Sequence, residues 1–464
     1  MDFTIKDSFF DDQEQQSFWT LTKFPAREIQ YELRDNMLIE KEKELVKRKV
    51  GIMTHYLLLF KEQEIHKWIN LINVTMEFVK HPVAGQGIRF LKNKQSFEMY
   101  GDVEIWFNYL KQYCIQRNFA QRYTLLKKIG QGNFAEVFKA ICKTDGQEYA
   151  IKCFRKSDLK EEVDKLSIIK ETSIMRKLQN DSVIKMYEVF EGEEYLYLVL
   201  EYLRGGELHK FMKKSPPFSE EKCSKLIYKL LKTCQFIHEQ GILHRDIKPE
   251  NIMLRKRDDL DDICICDFGL ADHYTSSGKY LFTRCGTPGY VAPELLQDKI
   301  YDYKVDIYSI GILMFILIAG KSPFEGKDYD DVVMRNYYAK VKFEECKLSE
   351  HGMNLLQGLM NKNPVKRLSA QEALNHQWFI QEKLAKTCQF KIRRHSNVKK
   401  LPHLDGSPIP TTNFLSPKNS FNNLSPQSLT RTDDNTPKSP ITPVTPLQHK
   451  GKPIRKSIFN LQQL

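Results

Sequence analysis

The 464-residue chain lacks the features of membrane-spanning and of disulfide-bonded proteins. Its longest apolar stretch, Ile310 to Ala319, is too short to cross a bilayer and is typical of a buried helix. No apolar N-terminal segment resembles a secretory signal, and the ten cysteines include no C-x-x-C pair. No acidic loop of the D-x-[DN]-x-[DN]-G type is present, which argues against direct calcium sensing. We therefore expect reduced thiols in a cytosolic or nuclear compartment, and of these a cytoplasmic protein that could be recruited to a membrane.

The charge of the chain is uneven along its length. The net charge is +12 at pH 7, a value that could indicate a nucleic-acid ligand. From residue 380 onward, however, fourteen Lys or Arg residues outnumber four Asp or Glu residues, a net charge of +10. The remainder is close to neutral, so we expect no nucleic-acid partner.

Residues 380–464 also contain seven Ser-Pro or Thr-Pro pairs and few apolar residues. Such a segment cannot bury enough apolar surface to fold, and we expect a disordered basic tail. Phosphorylation of the seven sites would reverse its charge, since each phosphate adds roughly −1.5 to −2. An inert linker is an equal alternative.

A polar run in the middle of the chain carries the chemistry of phosphoryl transfer. It extends from His244 to Asn251 as H-R-D-I-K-P-E-N, and Asp267-Phe268-Gly269 begins sixteen residues after Asn251. Phosphoryl transfer needs a carboxylate that orients the attacking hydroxyl, together with ligands for magnesium ions. Asp246 suits the first role, and Asn251 with Asp267 suits the second.

This arrangement resembles the catalytic core of a eukaryotic serine/threonine protein kinase, closest to the calcium/calmodulin-dependent group. The resemblance implies a bilobal α+β fold that transfers the γ-phosphate of ATP to Ser or Thr hydroxyls with Mg²⁺. It implies that Asp246 orients the substrate hydroxyl and that Lys248 stabilises the transferred group. It also implies that Asn251 and Asp267 hold the metal. The rival interpretation is a pseudokinase or lipid-binding scaffold, although none of these polar residues is missing.

A glycine-rich segment upstream extends the resemblance. It runs through Ile129, Gly130, Gln131, Gly132, Asn133, Phe134, Ala135, Glu136 and Val137. Glycines allow backbone amides to approach phosphate groups closely. Ala135 stands where the family pattern has its third glycine, so we expect a stiffer loop that still functions. Alone, two glycines could equally form an ordinary hairpin turn.

Other residues of the nucleotide site follow from the same resemblance. Lys152, which follows Ala150 in Tyr149-Ala150-Ile151-Lys152, matches the lysine that contacts the α- and β-phosphates. Its partner is expected to be Glu171, because this glutamate precedes the inward-facing apolar spacing of the next helix. Glu201 ends the strand that leads to the adenine-contacting hinge.

The resemblance also implies sites for regulation and substrate binding. Arg245 is expected to bind a phosphate on the activation segment, where Thr283 occupies the usual acceptor position. Glu207 and Glu250 match positions that bind substrate arginines, which favours Arg-x-x-Ser/Thr substrates. Distant from these residues, Arg367 is expected to form a buried salt bridge with Glu294.

The segment before the kinase-like region shows strand-like patterns. We predict strands over Val50–Phe60, Trp68–Val79 and Ile88–Tyr100, followed by a helix over Glu104–Cys114. Strands closed by a helix bearing a tryptophan resemble a pleckstrin-homology domain, which is a small β-barrel capped by one helix. The resulting domain order is 1–35 unassigned, 36–118 pleckstrin-homology-like, 123–379 kinase and 380–464 tail.

Pleckstrin-homology domains often bind phosphoinositide headgroups through cations of the first hairpin. Lys47, Arg48 and Lys49 lie near that position and would be attracted to an anionic membrane. A merely solvated charged strand is an alternative, because glutamates alternate with the neighbouring lysines. A protein-contact or autoinhibitory module lying on the kinase is a further one.

Overall fold

The computed structural model describes residues 8–11, 17–21, 23–24, 30–41, 44–132, 135–274, 285–297 and 299–380. Several predictions fall outside the described residues: those for Asn133 and Phe134 in the glycine-rich segment, that for Thr283, and that of a disordered tail after residue 380. No helix in the described ranges combines the length and the apolar character that crossing a membrane requires.

The region up to Leu110 is a β-rich unit that ends in a short helix. Its elements are β1 (Leu33–Lys41), β2 (Glu44–Met53), β3 (Tyr56–Lys61), β4 (Glu64–Asn70), β5 (Thr75–His81), β6 (Gly85–Lys92), β7 (Gln95–Tyr100) and α1 (Glu104–Leu110). The strands pair in the order β4-β3-β2-β1-β7-β6-β5. Trp106 and Leu110 of α1 are buried in the same hydrophobic cluster as Val50 and Ile88 of the sheet. Burying one such side chain is worth about 1.5–3 kcal/mol.

The predicted strand bounds in this region were wrong. Each of the three predicted strands contains a turn and corresponds to parts of two observed strands. The break between β6 and β7 is a tight turn at Asn93 and Lys94, whose φ angles are 48° and 63°. Apolar residues on both sides of such short turns made each pair of strands look continuous. The predicted helix begins at Glu104 as expected but ends at Leu110.

The predicted closed barrel is not confirmed. β4 lies at the outer edge of the sheet, whereas β5 pairs with the short strand β8 (Ile115–Gln116). The other edge of β8 continues into the sheet of the next part of the chain, so within the described residues the strands on both sides of β8 form one open thirteen-stranded sheet. Pairing with β8 therefore occupies the edge of β5 that closure would have needed.

The following part is a small lobe built from the rest of that sheet and one long helix. Its elements are α2 (Phe119–Arg122), β9 (Tyr123–Gln131), β10 (Ala135–Cys142), β11 (Glu148–Arg155), α3 (Glu162–Lys177), β12 (Met186–Glu191) and β13 (Tyr195–Glu201). Glu161 caps α3 reciprocally with Asp164, a capping box that fixes the start of the helix. One face of α3 is buried against the sheet, including Ile168, Glu171 and Met175.

The large lobe is mainly helical. Its elements are β14 (Gly206–Glu207), α4 (Leu208–Lys213), α5 (Glu220–Glu239), β15 (Ile242–Leu243), β16 (Ile252–Leu254), β17 (Ile263–Ile265), β18 (Asp272–His273), α6 (Pro293–Leu296), α7 (Lys304–Ala319), α8 (Tyr329–Tyr338), α9 (Glu350–Leu359) and α10 (Ala370–Leu374). The apolar helix α7 lies at the centre of the lobe, as its sequence predicts. Its C-cap is Gly320, whose φ of 73° suits glycine. The predicted pair of Arg367 with Glu294 is present, buried and bidentate at 2.6 and 3.0 Å.

Candidate active site

The glycine-rich segment forms the hairpin between β9 and β10. The Gly132 amide donates to the carbonyl oxygen of Ala135 at 2.7 Å. A Cβ placed on Gly130 would lie 3.5 Å from the Val137 Cβ, and one on Gly132 would lie 3.7 Å from the Ala135 oxygen. These are ordinary contacts, and neither glycine has a positive φ. Packing therefore does not require glycine at either position, whereas close approach of a phosphate to the amides would.

The other residues of this hairpin divide into apolar and polar groups. Ala135 is buried, Val137 is partly buried, and Ile129 is 37% exposed; Ala150 of the neighbouring strand β11 is also buried. The side chains of Gln131 and Glu136 both bind Lys128, at 3.0 and 2.5 Å. The apolar members suit a nucleotide base, while one side-chain oxygen each of Gln131 and Glu136 is engaged by Lys128.

Lys152 joins the two lobes electrostatically. Its Nζ lies 2.6 Å from Glu171 Oε1 on α3 and 3.2 Å from Asp267 Oδ1 in the large lobe. Burial alone would lower the pKa of Lys152, but the charges of Asp267 and Glu171 raise it above its ordinary value. The charge of Lys152 lowers the pKa of Asp267, whereas burial raises that of Glu171. The lysine is thus a fixed cation in the cleft between the lobes.

Glu171 differs in burial from the two glutamates at the start of its helix. Glu161 and Glu162 are exposed at the start of α3, where Glu161 serves as the cap. Glu171 is 5% exposed and lies on the inward face. The helical periodicity that favoured Glu171 in the sequence therefore selects the residue that reaches Lys152.

Asp246, Lys248 and Asn251 form one connected polar cluster. Asn251 Nδ2 donates to Asp246 Oδ2 at 2.8 Å, and Lys248 Nζ lies 2.8 Å from the same oxygen. The Thr287 hydroxyl donates to Asp246 Oδ1 and accepts from Lys248, both at 2.7 Å. The carboxylate is consequently held in one orientation, with a lysine beside it.

Asp306 fixes the backbone of the loop that carries Asp246. This fully buried carboxylate accepts the amides of His244 at 3.0 Å and Arg245 at 2.8 Å. It also accepts from His238 Nε2 at 2.8 Å. Burial would raise the pKa of Asp306, but the hydrogen bonds and charges of His238 and His244 hold it below the ordinary value. Arg245 has a φ of 66°, an unfavourable backbone conformation that this anchor stabilises.

The side chain of Arg245 belongs to a network that the sequence did not suggest. It donates to the carbonyl of Leu270 at 2.7 Å, to the Tyr301 hydroxyl at 3.2 Å and to Asp272 Oδ2 at 3.1 Å. Lys170 of α3 contacts the same Asp272 oxygen at 3.0 Å. The position of Asp272, five residues after Asp267, was the only sequence signal for it. Thr283, the expected phosphate acceptor, lies outside the described residues.

The predicted magnesium ligands lie next to each other. The Cys266 amide donates to the Asn251 carbonyl at 2.8 Å, which brings the chain before Asp267 against Asn251. Asn251 donates to Asp246 through its side-chain nitrogen, so these two hydrogen bonds do not use its side-chain oxygen. Lys152 and the Gly269 amide both contact Oδ1 of Asp267, whose side chain is 53% exposed. Amide and carboxylate oxygens are the ligands that Mg²⁺ prefers, so these residues fit that ion.

The two predicted substrate carboxylates are brought near each other by sheet pairing. Glu207 lies in β14, which pairs with β16 (Ile252–Leu254). Glu250 lies two residues before the start of β16. Glu207 binds Lys210 at 2.8 Å, and Glu250 binds His209 through Oε1 at 3.1 Å. The second oxygen of Glu250 is buried and has no hydrogen-bond partner among the described residues.

Glu201, predicted to contact the nucleotide, uses its side chain elsewhere. Both of its carboxylate oxygens bind Arg255, at 2.7 and 3.2 Å. Its backbone pairs with Tyr149 of β11 and donates to the Lys185 carbonyl. A contact of this residue with a nucleotide would therefore involve the main chain alone.

Comparison with known proteins places this site in a family. The model of the protein kinase domain matches residues 123–379. A probable serine/threonine-protein kinase 2 of Plasmodium falciparum is 34% identical over 289 residues, which cover 62% of this chain and 55% of that protein. A calcium/calmodulin-dependent protein kinase type 1 of Caenorhabditis briggsae is 35% identical over 262 residues, covering 56% of this chain and 72% of that protein. The serine/threonine-protein kinase cds1 of Schizosaccharomyces pombe is 35% identical over 270 residues, covering 55% of this chain and 58% of that protein.

The chain belongs to the protein kinase family. Two of these relatives are named as serine/threonine-protein kinases. The chain spans little more than half the length of these two relatives. The family match begins at residue 123 and therefore does not include the N-terminal sheet.

Proposed function

We propose that the chain transfers the γ-phosphate of ATP, with Mg²⁺, to Ser or Thr hydroxyls that follow arginine in the pattern Arg-x-x-Ser/Thr. The observation that carries this proposal is the joint presence of two assembled clusters. Lys152 of the small lobe is paired with Glu171 and with Asp267 of the large lobe, and Asp246 is held by Lys248, Asn251 and Thr287. A scaffold that had lost catalysis would not need either arrangement.

Each cluster has a separate task in the reaction. Lys152 orients the α- and β-phosphates, and the hairpin glycines admit them to the backbone amides. Asp246 accepts the hydrogen bond of the substrate hydroxyl and orients it, while Lys248 stabilises the negative charge of the transferred group. Asn251 and Asp267 would hold Mg²⁺, which supplies further neutralisation of the phosphate charge when bound.

The preference for arginine in the substrate is supported by Glu250. Its buried Oε2 atom lacks a partner among the described residues, and an unsatisfied buried carboxylate oxygen is costly. A substrate guanidinium could satisfy it together with Glu207. Steady-state kinetics with Arg-x-x-Ser and Ala-x-x-Ser peptides test this preference. Changing Glu250→Gln should raise KM for the arginine peptide about tenfold and leave the alanine peptide unaffected; equal effects on both peptides would contradict the proposal.

The proposed regulation is phosphorylation of Thr283. Arg245 and Lys170 both contact Asp272, so two cations already converge on one anionic group. A phosphate on the activation segment would offer these cations a second, stronger anionic partner. Mass spectrometry and kinetics of the Thr283→Ala variant test the proposal. Loss of activity is expected, and full activity in this variant would refute it.

A second proposed activity is binding of phosphoinositide headgroups by the N-terminal sheet, which we regard as pleckstrin-homology-like. Lys47 is exposed and Lys49 partly exposed on β2. Because side chains alternate along a strand, these two lysines share a face and Arg48 projects from the other. The chain would thus be a cytoplasmic protein that is recruited to anionic membranes.

Sedimentation with vesicles containing a phosphoinositide tests this membrane contact. The double change Lys47→Ala and Lys49→Ala should abolish binding. Of the single changes, each of which removes one positive charge, Lys47→Ala should weaken binding more than Arg48→Ala, which is the matched control. Absence of binding by the unaltered chain would instead favour a protein-contact role for the sheet.

A further inference from the structure

The N-terminal sheet is physically continuous with the small lobe of the kinase. The connecting strand is β8, in which Ile115 and Gln116 each have a partner on both sides. Ile115 pairs with Thr75 of β5 and with Val189 of β12, and both pairings are parallel. The two parts are therefore joined by backbone hydrogen bonds as well as by the chain itself.

A buried carboxylate strengthens this junction. Glu188 of β12 is 3% exposed, and its partners come from the segment that links the two parts. Gln116 Nε2 donates to it at 3.1 Å, Arg122 lies at 3.1 Å, and Lys111 lies at 3.5 Å. Breaking a buried ion pair leaves an uncompensated charge, so this junction resists separation.

The helix that carries Glu171 also inserts an arginine into the N-terminal part. Arg176 of α3 is 9% exposed, although arginine is rarely buried without a carboxylate partner. Its Nε donates to the Gln112 carbonyl at 3.2 Å, and a second nitrogen donates to the side-chain oxygen of Asn73. Burial lowers the pKa of Arg176 to about 10, so the side chain remains charged at neutral pH.

Residues 8–11 form another connection between the same two parts. The Ser8 hydroxyl and the Phe9 amide donate to Glu191 of β12 at 2.6 and 2.8 Å. Phe10 is 3% exposed within the hydrophobic cluster of the kinase, which also contains residues of α3. Asp11 accepts the Asn93 amide of the N-terminal sheet at 2.9 Å. The segment thus contacts the small lobe and the N-terminal sheet together.

We propose that Arg176 is a positioning residue for phosphoryl transfer, through which the N-terminal sheet holds α3 where Glu171 reaches Lys152. Five residues of helix separate Glu171 from Arg176, a rise of about 7.5 Å. A helix transmits a displacement over this distance with little loss. The Lys152–Glu171 contact of 2.6 Å is present while Arg176 is bound, so the N-terminal sheet supports the assembled site rather than blocking it.

This inference rests on the proposed role of Glu171. Variants of Arg176 and of its acceptor Asn73, made in the full chain, test it. Arg176→Met keeps an unbranched apolar stem at this position and removes the guanidinium. Asn73→Gly removes the acceptor, and glycine suits the φ of 63° at that position, so the backbone is not strained. Each change is expected to lower kcat/KM for a Ser peptide at least tenfold, per folded protein. Arg89→Met removes another arginine of the N-terminal sheet, bound to Glu77 and Glu98, and is the matched control with less than a twofold effect.

A double-mutant comparison separates positioning from general stability. If Arg176 acts through Glu171, then Arg176→Met in a Glu171→Gln background should cause less than a further twofold loss. Thermal unfolding of every variant establishes the folded fraction at the assay temperature. Losses that multiply in the double variant, or single variants with full activity, would overturn the proposal. A wild-type chain without activity would overturn the proposed function as well, and this outcome is distinct from an active wild type with unaffected variants.

Discussion

Replacing Asp306 with asparagine tests how the catalytic loop is held. The isosteric amide can keep one acceptor oxygen toward His238 and His244, but its NH₂ group then faces the Arg245 amide. A buried donor left without a partner costs about 1–3 kcal/mol, and the remaining bonds lose the benefit of a charged acceptor. The total loss of unfolding free energy is roughly 3 kcal/mol. At about 2–4 °C per kcal/mol for a domain of this size, Tm should fall by roughly 6–12 °C.

Activity should decline as well, because the Arg245 amide positions the residue directly before Asp246. We expect kcat to fall about tenfold or more, since small displacements of a catalytic group have large effects. Scanning fluorimetry and peptide kinetics measure the two effects. Asp330→Asn, which removes an exposed carboxylate in the first turn of α8, is the control and should change stability by less than about 0.5 kcal/mol. An Asp306→Asn variant with unchanged Tm and full activity would refute the reasoning.

Three further predictions concern pH, substrate binding and the large lobe. The pKa of Asp306 is lower in the folded protein than its ordinary value of 3.8. The ionised carboxylate therefore stabilises the fold above pH 3.8, and this stabilisation is lost as the pH falls below 3.8. The Tm difference between wild type and Asp306→Asn should accordingly shrink below pH 3.8 and stay constant above it. Lys210→Ala should lower KM for an Arg-x-x-Ser peptide by releasing Glu207, and an unchanged KM would argue against this site. Arg367→Met should leave Glu294 buried and unpaired and cost about 3–5 kcal/mol of unfolding free energy, whereas adding Glu294→Gln should restore part of it.

The kinase part was largely predictable because its chemistry lies in short runs with fixed spacing. The periodicity of α3 distinguished Glu171 from its neighbours, and the structure brings that residue to Lys152. The Asp246 to Asn251 run is local in sequence, so its members had to be close in space. The role of Asp272 could not be predicted from the sequence, because its partners Arg245 and Lys170 are distant in the chain and contact it only in the folded protein.

The N-terminal part was predicted less well for physical reasons. The turn at Asn93-Lys94 lies among five polar residues between Leu91 and Phe97, and the prediction joined the strand-like patterns on its two sides into one strand. The sheet stays open because β8 pairs with β5, and a two-residue strand has no sequence signature of its own. The burial of Arg176 could not be predicted from the sequence either, since its acceptors are a backbone carbonyl and a side-chain amide oxygen rather than a carboxylate.

The most direct test of the account is phosphate transfer from radiolabelled ATP with magnesium to an Arg-x-x-Ser peptide. The full chain should be compared with its Asp246→Ala variant, and Thr283 should be phosphorylated in both. Transfer by the full chain that falls at least about a thousandfold in Asp246→Ala is the predicted result. Equal transfer by both proteins, or none by either, would contradict the role assigned to Asp246 and the catalytic function of the site.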